Sequence, residues 1–180
     1  MLKSGKINIF NKSIKEKIFV GIDFIFSDRR LYFYVLDYND KYVLLRQEDD
    51  FSLDGYSVTK ISYIKKISCE YIKPNEINKK LGLADKIVNP GVDISSWSGL
   101  LKSLLKDDKC IMVENEKRGW VSVGHIDVLE KNYVTLKCFD IDGKMIDDKE
   151  LSTYKYSDIT TIEWDYRYTD TWDKYIKGKI

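Results

Sequence analysis

The chain has 180 residues, a length that suits one large domain or two small ones, since domains commonly run to roughly 100–150 residues. Hydrophobic residues make up 43% of it, enough for a core, and the charged residues leave a formal net charge of +1. This balance gives no general electrostatic reason for binding to nucleic acid or to an anionic membrane.

The first half of the sequence is predicted to form five short strands separated by turns. Each strand is a run of β-branched, aromatic and aliphatic residues, ended by polar clusters such as residues 27–30 or by the turn signal Asp54-Gly55. The predicted strands are residues 17–26, 31–37, 41–47, 56–61 and 63–72. A short helix is predicted at residues 75–81, directly after Pro74. The opening segment, residues 7–14, fits either a helix or a strand.

The second half repeats this order. Its predicted strands are residues 110–114, 120–127, 132–139, 151–156 and 159–164, with an Asp142-Gly143 turn before the fourth. Two patterns recur in register: Tyr42-Val43-x-Leu45 as Tyr133-Val134-x-Leu136, and Ser62-x-Ile64-x-x-Ile67-x-x-x-Tyr71 as Ser157-x-Ile159-x-x-Ile162-x-x-x-Tyr166. Because register, order and turns agree together, the sequence predicts a tandem duplication.

Helices are predicted before and after the strands of the second copy. Residues 93–106 place five apolar side chains on one helical face: Trp97, Leu100, Leu101, Leu104 and Leu105. Ser95 or Ser96 is the expected cap. A weaker pattern predicts a closing helix near residues 168–176, capped by Thr169 or Asp170. The Asn-Pro-Gly sequence at residues 89–91 favours a domain boundary, so the predicted domains are residues 1–88 and 93–180, joined by a linker at residues 89–92.

A short helix followed by five bent antiparallel strands resembles the Sm-like small β-barrel. The third strand of each copy, at residues 42–47 and 133–139, lies where that family carries its first motif, and Gly124 and Asp127 precede Asn132. The resemblance implies a mainly β fold of two tandem five-stranded barrels, each with a flanking helix. It also implies binding of uridine-rich RNA through an Asp, an Asn and an Arg-Gly pair.

The chain departs from that family at the residues that bind RNA. Asp127 and Asn132 are one position too far apart, and Lys41 stands where the first copy should have Asn. Residues 64–67 and 159–162 lack the Arg-Gly pair of the second motif. The resemblance therefore favours the fold over the RNA function, because fold alone does not fix function.

The residues needed for catalysis or for a metal do not form a recognisable pattern. The three cysteines are far apart and form no CxxC pair, and His125 is the only histidine. We therefore expect free thiols in a reducing compartment, no metal site, no cofactor and no enzyme activity. The acidic stretches at residues 48–50 and 140–142 are interpreted as solvated hairpin tips rather than cation sites. No apolar run is long enough to span a membrane, so we expect a cytoplasmic protein.

Basic and aromatic residues interleave in the first copy and form the candidate partner surface. Its members are Arg29, Arg30, Tyr32, Tyr34, Lys60, Tyr63 and Lys65. Such residues can stack bases and hold phosphates, but Tyr is also a favoured strand residue and Lys is common at sheet edges. We expect a non-catalytic intracellular binding or scaffold module that recognises a protein partner or its own copy, with Sm-like RNA binding as the alternative.

Overall fold

A computed structural model describes residues 4–116, 118–146 and 152–179 of the protein. Within these residues the protein is mainly β with short helices, which confirms the predicted fold class at that level. The chain divides into two compact units, Met1–Ile94 and Ser95–Ile180. The predicted linker, at residues 89–92, lies shortly before the end of the first unit.

The first unit is an antiparallel sheet of five strands with a helix on each side of it in the sequence. In chain order its elements are α1 (Ser4–Glu16), β1 (Phe19–Phe24), β2 (Arg30–Tyr38), β3 (Tyr42–Asp49), β4 (Ser52–Lys60), β5 (Ile64–Ser68) and α2 (Ile72–Lys80). The strand order is β5-β1-β2-β3-β4. The opening segment, which the sequence left open between helix and strand, is a helix. Its apolar face covers the sheet, where Phe10 is fully buried against Val20, Val35 and Val43.

The second unit has the same plan. Its elements are α3 (Trp97–Lys106), β6 (Cys110–Asn115), β7 (Trp120–Leu129), β8 (Tyr133–Cys138), β9 (Thr153–Lys155), β10 (Thr161–Trp164) and α4 (Arg167–Ile176). The strand order is β10-β6-β7-β8-β9, which is the order of the first unit. Leu151, the first residue of the predicted fourth strand, lies outside the described residues.

The two units also pair their strands residue by residue in the same register. Equivalent pairs lie 91 residues apart along the first three strands, such as Phe19–Tyr34 and Cys110–His125, Val35–Leu45 and Ile126–Leu136, and Tyr38–Val43 and Leu129–Val134. The irregularity in β2, between Val35 and Asp37, recurs in β7 between Ile126 and Val128. In the fifth strand the separation is 95 residues, as for Ile22–Ile67 and Val113–Ile162.

Each sheet is open rather than closed into the barrel that the sequence analysis predicts. In the first unit β5 and β4 lie at opposite ends of the strand order, and in the second unit β10 and β9 do. In the described part of each unit no strand pairing joins these ends. The fifth strand is short, with five residues in the first unit and four in the second, and it pairs with the first strand of its own unit. In the described residues of each unit, the fifth strand does not pair with the fourth strand, a pairing that would close a barrel.

The helix ends test the predicted caps. Ser96 caps α3, since its hydroxyl oxygen accepts a hydrogen bond from the Gly99 amide at 3.0 Å, which confirms one of the two predicted caps. The predicted cap of α4 is wrong. That helix begins at Arg167 after Tyr166, so Thr169 and Asp170 lie inside its first turn.

Candidate functional site

A pocket of about 200 Å³ opens on the first unit, where the start of β1, the strand β2, the β3–β4 turn and the start of α2 meet. Four aromatic residues, two acidic residues and a proline line it: Phe19, Tyr32, Phe51, Tyr71, Glu48, Asp50 and Pro74. We call it the aromatic pocket. Its volume is below the roughly 300–1,000 Å³ of small-molecule sites and suits a single side chain.

Three of these rings pack directly against one another. Phe19 is buried and stacks on Tyr71, with 5.4 Å between ring centroids. Tyr32 lies edge-on to both, at 5.7 Å from Phe19 and 5.2 Å from Tyr71. Edge-to-face and offset-stacked rings attract each other, so the cluster is held in one arrangement while Tyr32 remains 36% exposed.

Polar contacts fix the Tyr71 ring from behind. The Arg30 guanidinium donates to the Tyr71 hydroxyl at 3.0 Å, and the Ser68 hydroxyl lies 3.3 Å from it. Gly21 leaves the room that this hydroxyl occupies, because a Cβ atom at that position would collide with it. The pocket is therefore preorganised, with Tyr71 seated by residues of β1, β2 and β5.

Glu48, a residue that is only 7% exposed, contributes a carboxyl group to the pocket. Its Oε1 accepts hydrogen bonds from the Phe51 amide at 2.9 Å and from Asn78 Nδ2 at 3.2 Å. Both bonds end on the same oxygen, and within the described ranges no cationic side chain pairs with this group. Asp50 and Phe51 follow with φ of 45° and 64°, a strained turn that the Glu48 bond stabilises.

Of the seven predicted surface residues, Tyr32 lines this pocket and Arg30 contacts it from behind through the Tyr71 hydroxyl. Arg30 is not available to a phosphate, because Asp23 binds its guanidinium through two bonds of 2.6 Å. The same contact holds the pKa of Asp23 below its usual range, with Lys66 and Lys65 adding to the effect. Arg29 is exposed, and its amide bonds to the Ser27 side chain instead.

The other predicted residues lie apart from the pocket or inside the unit. Tyr34 is 1% exposed and accepts a hydrogen bond from Asn78 Nδ2 at 3.0 Å. Tyr63 is buried, and Lys60 lies over its ring at 5.5 Å from the centroid. Lys65 is exposed on β5. The seven residues therefore form no single basic aromatic surface.

Sequence reasoning missed most of the pocket, namely Phe19, Glu48, Asp50, Phe51, Tyr71 and Pro74. One signal was present in the repeat. At a separation of 91 residues, Glu48 corresponds to Phe139, which is buried. An acidic residue at a position that is apolar in the other copy indicates a functional role, because burial of a charge costs free energy unless it is compensated.

A second cluster, in the second unit, contains the histidine, acidic and cysteine side chains that catalysis could use. His125 Nε2 lies 2.7 Å from Asp173 and its Nδ1 lies 3.2 Å from Asp108, while Lys177 bridges both carboxylates. Cys110 is opposite His125 on the neighbouring strand, but burial raises the pKa of its thiol to about 12. The thiol is therefore protonated and unreactive at neutral pH.

The His125 network is interpreted as a fastening of α4 to β7. Among the residues that the structure describes, no group of three or more histidine, cysteine or acidic side chains is placed to hold a metal ion. None of the described helices is long and apolar enough to cross a membrane.

Comparison of the chain with family models, with curated proteins and with solved structures finds no match in any of the three.

Proposed function

We propose that the protein is a non-catalytic binding module, and that a segment of a partner protein docks into the aromatic pocket of its first unit. The observation that carries this proposal is Glu48. Glu48 is 7% exposed and lines the pocket, and among the described residues no cationic side chain pairs with it. Burial of a carboxylate without a cation is unfavourable, so a cationic group supplied by a partner would compensate it.

Exposed apolar side chains beside the pocket support a protein as the partner. Phe51 is 44% exposed on the pocket, and α2, which contributes Pro74, presents Ile72, Ile77 and Leu81 to solvent. Protein interfaces combine an apolar and aromatic centre with a polar rim. A surface of this kind suits a polypeptide better than a phosphate backbone.

The charges around the rings argue against the alternative of RNA binding at the aromatic pocket. Glu48 and Asp50 line the pocket, and Asp23 neutralises Arg30. Phosphate groups need unpaired cations, and base stacking alone leaves their repulsion from these carboxylates uncompensated.

We also propose that the two units are duplicated Sm-like domains in which the barrel is open. Support comes from the leading helix of each unit, from the common strand order and from the register that repeats at 91 residues. A non-catalytic role is supported by Cys110, which is opposite His125 in the strand register and whose thiol has a pKa raised by burial to about 12.

Affinity capture from the native extract, with the full chain as bait, tests the docking proposal. We expect Tyr32→Ala to reduce recovery of at least one protein about tenfold or more, because a central aromatic contact commonly contributes on the order of 2 kcal/mol. Tyr133→Ala is the matched control, since Tyr32 and Tyr133 are both 36% exposed and Tyr133 lies in the second unit.

The comparison between baits decides the result. A protein that is retained by wild type and by Tyr133→Ala but lost by Tyr32→Ala supports docking at the aromatic pocket. If every captured protein is recovered equally with all three baits, the proposed function is wrong. Circular dichroism of each bait confirms that the fold is retained.

A further inference from the structure

The arrangement of acceptors in the aromatic pocket identifies the group that fills it. Glu48 and Asp50 are the acidic residues among those that line it, and none of its lining residues is basic. Arg30, which donates to Tyr71 behind the pocket, is held by Asp23 through two hydrogen bonds. Arg30 therefore supplies no free cation to the carboxyl groups of the pocket.

The free carboxylate oxygen of Glu48 gives the occupant its position. Both described hydrogen bonds to Glu48 end on Oε1, and the second oxygen is not among the buried atoms that lack a partner, so it remains accessible from the pocket that Glu48 lines. Asp50, exposed at the rim, adds further acceptor oxygens. The other lining residues are aromatic or apolar: Phe19, Tyr32, Phe51, Tyr71 and Pro74.

We propose that the aromatic pocket binds an arginine side chain of the partner protein, a conclusion that rests on the proposed function. A guanidinium is planar, stacks on aromatic rings and carries five N–H donors, so one can donate to the accessible oxygen of Glu48 and another to Asp50. An ammonium is compact and more strongly hydrated, and uses flat rings and paired acceptors less well. The cavity of about 200 Å³ has room for one such side chain.

The described residues of the second unit do not form this site. The residues of the second unit that correspond to Phe19, Tyr32 and Glu48 are Cys110, Val123 and Phe139, which form an apolar cluster. Trp172 and Ile176 of α4 pack against that cluster. The corresponding positions in α2 are Ile77 and Leu81, both exposed, so the place that is filled in the second unit is open in the first.

Titration of the full-length ¹⁵N-labelled protein with N-acetyl-arginine amide tests the assignment. We expect amide shifts at Tyr32, Phe51 and Tyr71 with a dissociation constant on the order of millimolar, because a single side chain contributes little binding energy. N-acetyl-citrulline amide, which has the same shape without the charge, is expected to produce none of these shifts. N-acetyl-lysine amide is expected to bind at least about threefold more weakly.

Two substitutions complete the test. Glu48→Gln retains an oxygen for the Phe51 and Asn78 bonds but replaces the free carboxylate oxygen, and we expect it to weaken arginine binding about fivefold or more. Asp49→Asn is the matched control, because Asp49 is an exposed acid next to Glu48 that does not line the pocket. The dispersion of the amide spectrum verifies that both variants are folded.

The outcomes separate this inference from the proposed function. Equal binding of lysine and arginine amides, or equal binding by wild type and Glu48→Gln, would overturn the arginine assignment. Loss of the captured protein with Tyr32→Ala, in the absence of any arginine binding, would leave a protein-docking pocket with another occupant. Arginine binding confined to the aromatic pocket, with no captured protein affected, would support the chemistry of the site and contradict its role in docking.

Discussion

Two carboxyl groups at equivalent positions of the two units, Asp23 and Glu114, have pKa values that are shifted in opposite directions. Asp23 in β1 is opposite Arg30, and Glu114 in β6 is opposite Val121 in the same register. Arg30 lowers the pKa of Asp23, whereas burial, with the nearby Glu116 adding to it, raises the pKa of Glu114 to about 7. Burial is the main cause of the raised pKa of Glu114, and Val121, which is opposite it, cannot offset that burial as Arg30 does for Asp23.

The raised pKa of Glu114 makes the stability of the second unit depend on pH. Its folded value of about 7 lies above its ordinary value of 4.5, so the contribution is fully present below pH 4.5 and is lost as the pH rises through 7. We expect the free energy of unfolding to fall by up to about 3 kcal/mol between pH 4.5 and 8. Urea denaturation at several pH values measures this change, and Glu114→Gln removes most of it.

Restoring the missing cation is the complementary test. Val121→Arg places a guanidinium where the first unit has Arg30, and we expect the pKa of Glu114 to fall towards 4.5. Carboxyl ¹³C chemical shifts followed through a pH titration report that value directly. An unchanged pKa in this variant would show that the strand register does not bring residue 121 to Glu114 as it brings Arg30 to Asp23.

At the scale of elements, each unit fastens its closing helix to its second strand at the same place. Tyr34 accepts a bond from Asn78 in the first unit, and His125 lies 2.7 Å from Asp173 in the second. These pairs are separated by 91 residues in the strand and by 95 in the helix, as in the rest of the repeat. The position of the link is common to both units. In the first unit it joins a hydroxyl to an amide, and in the second it joins an imidazole to a carboxyl group.

The close approach of β7 to β8 depends on Gly124. A Cβ atom there would collide with the backbone carbonyl of Lys137, so no side-chain movement can accommodate it. We expect Gly124→Ala to lower the free energy of unfolding by about 2 kcal/mol or more. Gly5 in α1 is the control, because nothing lies within 4 Å of its Cβ position and alanine is the better helix former. Gly5→Ala should therefore raise stability by about 0.5–1 kcal/mol, as thermal denaturation of both variants would measure.

The strands could be predicted from the sequence, but the pocket could not. Apolar runs between turn residues locate β1 to β5 within a few residues, because each strand buries a local pattern of side chains. The pocket instead joins Phe19 to Tyr71, residues that only the fold brings together. An irregular pairing in β3, between Arg46 and Glu48, also breaks the alternation that would predict which way Glu48 points.

At the scale of the whole chain, the two units share a scaffold and differ in what fills it. Each has its own buried side chains: Phe10, Val20 and Phe33 belong to the first, and Cys110, Val123 and Phe139 to the second. The repeat patterns in the sequence agree with the common register, but they do not reveal which unit has an open pocket. That difference depends on single substitutions, above all on Glu48 in place of Phe139.

Because the first unit contains its core and all the residues of the aromatic pocket, residues 1–94 expressed alone should fold and bind N-acetyl-arginine amide. A domain of this size commonly has an unfolding free energy of about 5 kcal/mol or more, which urea denaturation can measure. Residues 95–180, whose equivalent position is filled by Phe139 and Trp172, should not bind the same probe. A folded first unit that fails to bind an arginine that the full chain binds would place part of the site outside residues 1–94.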